Sequence, residues 1–108
     1  MNFKKLFGRQ DNLNAAEIQS DGSQIAKIKV DHGYEPETVT LKKGVPAKLV
    51  FHRINESDCL SRVQSKKLAF NQALPLNQDV EISVDTNRSG EFDYACGMNM
   101  FHGKVVVQ

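Results

Sequence analysis

The feature that most constrains the fold is a series of short segments in which apolar and polar residues alternate. These segments are residues 25–30, 38–41, 47–53, 80–84, 91–96 and 103–108. Alternation with a period of two places successive side chains on opposite faces, as in a β-strand with one buried face. Glycine, proline and asparagine mark turns between the segments, and no long segment has the helical period that a βαβ unit needs. The sequence therefore predicts an all-β sandwich or barrel.

The segment at 47–53 shows the alternation most clearly. One face carries Ala47, Leu49 and Phe51, and the other carries Lys48, Val50 and His52. A polar connection is predicted for residues 54–67, which include Cys59, followed by a short strand at 68–70 and a loop at 74–77.

Length and composition indicate one soluble globular domain. The chain has 108 residues, of which 40% are hydrophobic and 25% charged, and its formal net charge is +1. A net charge this close to zero gives no sign of the basic surface that binds nucleic acid. Residues 1–22 are predicted to be a leader, either flexible or a short helix with a weak start signal, and residues 23–108 to be the domain.

No targeting or membrane segment is predicted. Residues 1–9 begin with basic character but no apolar run follows them, as a secretory signal would require. No stretch approaches the roughly 20 apolar residues of a membrane span. We therefore expect a cytoplasmic protein, or one at the cytosolic face of the membrane. In that reducing compartment a structural disulfide is not expected.

The sulfur-containing side chains are unusually clustered. Cys96, Met98 and Met100 lie within five residues, and they include both methionines other than the initiator. A thiolate with two thioethers is a soft donor set, which favours Cu(I) over harder metals. The alternative is that these residues fill the core, as methionine and free cysteine commonly do.

The second cysteine, Cys59, lies 37 residues before Cys96 (96 − 59 = 37). Two cysteines could form one disulfide or supply two metal ligands. Connections cluster at the two ends of a sandwich, so the two could meet there, outside the core. In extended backbone Met98 would share a face with Cys96, and Gly97 would let the chain bend so that Met100 approaches the same centre.

The order of these features resembles the cupredoxin-like copper proteins, particularly a small bacterial subgroup that handles Cu(I). The resemblance is carried by Gly-Tyr-Glu-Pro at 33–36, by residues 41–51, by Cys59, by Leu-Pro-Leu at 74–76 and by residues 90–105. It covers residues 24–108 and implies a Greek-key β-sandwich of cupredoxin type.

The departure from the electron-transfer members is informative. A blue-copper site uses two imidazoles, one thiolate and a weak axial thioether. Here Cys59 stands where the first imidazole is expected, and His102 lies beyond the sulfur cluster. The resemblance implies that Cys59, Cys96, Met98 and Met100 bind one Cu(I) ion, or two ions that share the Cys96 thiolate.

The function implied is that of a Cu(I)-binding protein or metallochaperone, which buffers copper and hands it to an exporter. A copper-transporting P-type ATPase is the partner that the resemblance suggests. The alternatives are an electron-transfer cupredoxin with an atypical mononuclear copper site and a purely structural β-sandwich module.

An enzymatic role is not expected. Cys96 could act as a nucleophile with His102 as its base, but the sequence shows no third group to orient them. Four further side chains could lie near the metal: His102, Glu35 and Glu37 as added ligands, and Asp58 as a group that orients a ligand.

Overall fold

The computed structural model describes residues 16–108 and shows a sandwich of two five-stranded sheets. The first sheet contains β1 (Glu17–Ile18), β2 (Gln24–Val30), β3 (Tyr34–Glu35), β5 (Ala47–Arg53) and β8 (Asp79–Val84). Strands β1, β2, β5 and β8 adjoin in that order, and β3 pairs with the last two residues of β2. Strands β2 and β5 run parallel over their full length.

The second sheet packs on the first and also contains one parallel pair. Its strands are β4 (Thr38–Leu41), β6 (Arg62–Ser65), β7 (Phe70–Ala73), β9 (Gly90–Cys96) and β10 (His102–Val107), in the order β4-β10-β9-β6-β7. Strand β10 runs parallel to β4 and antiparallel to β9. The prediction of an all-β sandwich is confirmed. Within residues 16–108, no helix has the length and apolar character needed to cross a bilayer.

The connection predicted at residues 54–67 is more structured than expected. It contains a single 3-10 turn, Asp58–Leu60, and the strand β6. Strand β6 was not predicted because one of its two inward positions is the polar Ser65, which breaks the alternation. The buried Ser65 hydroxyl donates to the Asp93 carbonyl. The strand predicted at 68–70 is wrong, because the chain turns at Ala69 (φ 58°) and β7 begins at Phe70.

Of the predicted leader, residues 1–15 lie outside the described part. Residues 16–22 contain the short strand β1, which pairs with the start of β2 through Glu17 opposite Ile25 and Ile18 opposite Gln24. Both β1 side chains are exposed.

The core lies between the sheets and has an aromatic centre. Tyr94 packs edge-on against Tyr34 and Phe51, with ring centroids 4.9 and 5.5 Å away. Gly103 lies opposite Tyr94 on β10, and the Tyr94 ring occupies the space that a side chain at position 103 would need. Val50, predicted on the outer face of β5, is buried as well.

The parallel pair of β2 and β5 defines the two ends of the sandwich. Gln24 lies opposite Ala47 at one end, and Val30 lies opposite Arg53 at the other. We call these the Gln24 end and the Arg53 end. They are about 20 Å apart, since six residue steps of about 3.3 Å separate them.

Candidate metal centre

Cys96 is the last residue of β9, at the Arg53 end, and is fully buried with an exposed fraction of 0%. It lies opposite Val63 of β6. Its backbone N–H donates to the Phe101 carbonyl, and the N–H of Gly97 donates to the Arg62 carbonyl. Both neighbouring strands therefore fix the direction of the Cys96 side chain.

Cys59 lies in the 3-10 turn that follows β5. The turn is closed by bonds from the Leu60 N–H to the Ser57 carbonyl and from the Ser61 N–H to the Asp58 carbonyl. The turn directs Cys59 inward, with 7% of its surface exposed.

The structure brings the two thiols into contact. The Sγ atoms of Cys59 and Cys96 lie 3.0 Å apart, and both cysteines are free. Two backbone N–H groups also point at the Cys96 sulfur, from Met100 at 3.2 Å and from Phe101 at 3.3 Å. The expectation that the site lies outside the core is wrong, because both thiols belong to the core cluster.

The surroundings give the two thiols unequal acidity. Burial raises the pKa of Cys96, but the hydrogen bond from Cys59 and the N–H groups of Phe101 and Met100 outweigh burial, so the pKa is lowered overall. The hydrogen bond to Cys96 and burial raise the pKa of Cys59. The Cys96 thiol therefore ionises first, and the Cys59 thiol donates to it.

Met98 and Met100 lie on the loop at residues 97–101 with their side chains exposed, at 64% and 67%. The expectation that Met98 continues the strand and shares a face with Cys96 is wrong. The strand ends at Cys96 in a turn closed by the Asn99 N–H on the Cys96 carbonyl, and Asn99 has a φ of 59°. Asparagine adopts this left-handed conformation more readily than most residues.

The remaining candidates lie outside the thiol pair. The exposed His102 donates through Nε2 to the Asn99 carbonyl. Glu35 forms an ion pair with Lys29 at 3.5 Å, and the side chains of Asp58 and Glu37 are exposed. Over residues 16–108, no three His, Cys, Asp or Glu side chains form a group that could hold a metal.

One residue of the site was missed from the sequence. Arg53 is buried, and its guanidinium donates to three backbone carbonyls, including that of Ser57 beside the turn that carries Cys59. The signal was present, because Arg53 continues the inward alternation of Ala47, Leu49 and Phe51.

Comparison with known proteins agrees with this architecture. The family model for the cupredoxin-like domain matches residues 10–107. The solution structure of a copper-binding protein in its apo form is 38% identical; the match covers 87% of this chain and 95% of that one, with a TM-score of 0.80. No curated protein matches the chain.

Two further structures extend the comparison. The metal-binding domain of the Cu(I)-exporting P-type ATPase CopA of Streptococcus pneumoniae D39, solved with Cu(I), is 26% identical over 87% of this chain and 93% of that domain, with a TM-score of 0.82. A purple cupredoxin from Nitrosopumilus maritimus is 19% identical over 77% of this chain and 99% of its own, with a TM-score of 0.54, and shares the fold. Because the family model spans residues 10–107 and the apo copper-binding protein is 38% identical over 87% of this chain, the chain belongs to the cupredoxin-like domain family.

Proposed function

We propose that this protein binds Cu(I) through sulfur and carries it, without catalysing a reaction on it. The observation that carries the proposal is the contact of 3.0 Å between the thiols of Cys59 and Cys96. Thiolates are the donors that select Cu(I), and two of them at one point give a site with no need for imidazole or carboxylate.

The tight ion is proposed to bind between the two thiolates. A metal–thiolate bond is about 2.3 Å long in the related case of Zn²⁺, so two sulfurs 3.0 Å apart must separate for an ion to lie on the line between them. Binding also displaces the thiol proton of Cys59, because only the thiolate is a good ligand.

A second, weaker ion is proposed on Cys96 together with Met98 and Met100. Thioethers are neutral donors and give a weaker site than a pair of thiolates. The exposure of both methionine side chains supports this assignment, because it leaves them able to accept an ion from solution or from a partner. Four sulfurs then serve two ions that share the Cys96 thiolate.

A graded pair of sites suits acceptance and handover, so the proposed role is buffering and delivery of Cu(I) to an exporter in the cytoplasm. The likeness to an apo copper-binding protein and to the metal-binding domain of a Cu(I)-exporting P-type ATPase supports this role. A P-type ATPase that exports copper is accordingly the proposed partner.

The electron-transfer alternative requires two imidazoles beside the thiolate. Within the described chain no histidine joins the two cysteines in a group that could hold a metal. Each imidazole has another partner: Asp79 for His52, Asp31 for His32 and the Asn99 carbonyl for His102. The donor set therefore favours the Cu(I) carrier.

The test is an anaerobic titration of the reduced protein with Cu(I) in competition with a coloured chelator. We expect two equivalents to bind, the first more tightly, and the loaded protein to be colourless. A sharp stop at one equivalent would rule out the second ion. An intense blue or purple colour after addition of Cu(II) would favour electron transfer, and no binding would overturn the proposal.

A further inference from the structure

The buried guanidinium of Arg53 bonds to the backbone on both sides of the segment that carries Cys59. Arg53 ends β5 and is only 8% exposed. Within residues 16–108, no carboxylate forms an ion pair with it. Burial of an unpaired cation is costly, so the partners that it does have must compensate for the loss of water.

Those partners are three backbone carbonyls. Nε donates to Asn55 at 2.9 Å, Nη1 to Leu74 at 2.9 Å and Nη2 to Ser57 at 3.1 Å. All three nitrogens of the guanidinium therefore donate to a backbone carbonyl. The bonds join the end of β5 to two segments, the connection at residues 54–57 and the loop that begins at Leu74.

These bonds hold the turn that carries Cys59 at both of its ends. Before the turn, the Ser57 carbonyl accepts from Arg53 and also from the Leu60 N–H. After the turn, the Ser61 carbonyl accepts from the Leu74 N–H at 2.8 Å, while the Leu74 carbonyl accepts from Arg53. Cys59 lies midway between these two points.

We infer that Arg53 is the positioning residue of the copper site: its guanidinium fixes the backbone on both sides of Cys59 and so holds that thiol against Cys96. This inference rests on the proposed function for its consequence in copper binding. Cys96 needs no such support, because β6 and β10 pair with its own strand on both sides.

The geometry also explains why arginine is required. A lysine ammonium is a point charge on a flexible stem and cannot present three donors in one plane toward separate carbonyls. We therefore expect Arg53→Lys to be a poor replacement. Arg53→Met keeps the apolar stem and removes every donor.

A matched control exists at the other end of the sandwich. Gln24 is also buried and bonds to the backbone of one loop, donating to the carbonyls of Lys42 and Val45 and accepting from the Lys42 N–H. Gln24→Met removes a comparable set of bonds about 20 Å from the thiols.

The first measurement is the Cu(I) competition titration on the wild type, Arg53→Met, Arg53→Lys and Gln24→Met. In both Arg53 variants we expect the first equivalent to bind about 10- to 100-fold more weakly, the range found when residues that orient metal ligands are replaced. The second equivalent should be unchanged, because it does not use Cys59. Gln24→Met should lower the melting temperature and leave both affinities unchanged.

The second measurement needs no copper. In a mixture of glutathione and its disulfide, formation of the Cys59–Cys96 bond reduces one glutathione disulfide to two glutathiones, and its equilibrium reports how closely the thiols are held. We expect the equilibrium constant to fall about tenfold in the Arg53 variants and to stay constant in Gln24→Met.

The two measurements separate the two proposals. If the wild type binds no Cu(I), the proposed function fails, while the thiol equilibrium still tests the role of Arg53. An unchanged thiol equilibrium in folded Arg53→Lys and Arg53→Met would overturn the inference. An equal fall in Gln24→Met would overturn it too, because the effect would then be one of general stability. Should Arg53→Met not fold, Arg53→Lys alone decides.

Discussion

At both the Gln24 end and the Arg53 end of the sandwich, a buried polar side chain from a central strand bonds to the backbone of a loop, and the two ends differ in the side chains that the loop carries. At the Gln24 end the amide supplies both donors and an acceptor, and Thr86 completes the set by donating to the Val45 carbonyl at 2.7 Å. The buried polar side chains of that end are thus satisfied by the protein itself.

At the Arg53 end the guanidinium is bonded to backbone carbonyls, but among residues 16–108 the two thiols have only each other and nearby N–H groups as partners. Its loops place two thiols in contact, and one thiol and two N–H groups donate to the Cys96 sulfur, which is a weak acceptor. An ion bound here would take the place of the thiol proton, and the two sulfurs would move apart to hold it. The comparison shows that the two loops are held in the same way and differ in the atoms that they present: backbone and amide groups at one end, two thiols at the other.

The largest effect expected is the loss of copper from the Arg53 end when Cys96 is replaced. Cys96→Ser should abolish both equivalents, because each ion loses its shared thiolate and a hydroxyl is a poor Cu(I) donor. Cys59→Ser should abolish the tight equivalent and leave weak binding through Cys96, Met98 and Met100. Cu(I) competition titrations measure both outcomes.

Replacement of either cysteine should also cost stability, by about 1–3 kcal/mol, because both thiols are buried in the core. Gln24→Met serves as the control, since it should lower stability and retain copper. Equal losses of copper from the two cysteine variants would indicate a single mononuclear site with two thiolates.

The next effect is confined to the second equivalent. Met98→Ala combined with Met100→Ala should remove the weak equivalent and preserve the tight one. Because both side chains are exposed, the free energy of unfolding should change by less than about 0.5 kcal/mol. The same titration, with thermal unfolding alongside it, gives the result. Retention of two equivalents would show that the methionines do not bind copper.

A third prediction concerns the centre of the molecule, between the two ends. The hydroxyls of Tyr34 and Tyr94 are buried, and neither has a hydrogen-bond partner among residues 16–108. Burial raises the pKa of both phenols above their ordinary value of 10.0. Above pH 10 the phenols ionise in the unfolded chain and stay protonated in the folded one, so stability falls as pH rises, by up to about 1.4 kcal/mol per pH unit for each.

Chemical denaturation of the wild type and of the Tyr34→Phe, Tyr94→Phe double variant between pH 9 and 12 checks this sign. The variant should lose less stability over that range, and near neutral pH it should be as stable as the wild type or more so, because the unpaired hydroxyls are gone. Parallel pH profiles for the two proteins would contradict the prediction.

The smallest effect is expected from removal of residues 1–20, which contribute β1 to the Gln24 end. Within the described chain, this truncation removes the short pairing of Glu17 and Ile18 with β2 and the hydrogen bond from the Ala16 N–H to the Thr40 carbonyl. We expect a loss of about 1 kcal/mol or less and unchanged copper binding. A fall in melting temperature beyond about 10 °C would show that this segment is an integral part of the domain.

The strands of the fold were predictable because alternation is a local property of the sequence. Segments such as 80–84 and 91–96 match β8 and β9 within a residue. Strand β6 was missed because its inward Ser65 is satisfied by a partner 28 residues away. That bond is tertiary, and the local pattern does not encode it.

The convergence of the two cysteines was predictable, and the direction of the methionine side chains was not. The contact of Cys59 with Cys96 was expected because both are soft sulfur donors and because loops converge at the ends of a sandwich. The direction of Met98 was wrong because Asn99 turns the backbone. The role of Arg53 was missed because charged residues at strand ends are usually solvated. One of its carbonyl partners, Leu74, lies 21 residues away and meets Arg53 only in the folded chain.

The contact of Tyr94 with Gly103 also constrains how this sequence can evolve. Any side chain at position 103 would collide with the Tyr94 ring, and not merely with its hydroxyl, so phenylalanine at position 94 would give no relief. The ring in turn packs on Tyr34 and Phe51, which belong to two strands of the opposite sheet. Position 103 can therefore gain a side chain only if position 94 changes with it, for example to a small aliphatic residue that admits alanine at 103. Among homologues these two positions should covary, although neither is a candidate copper ligand.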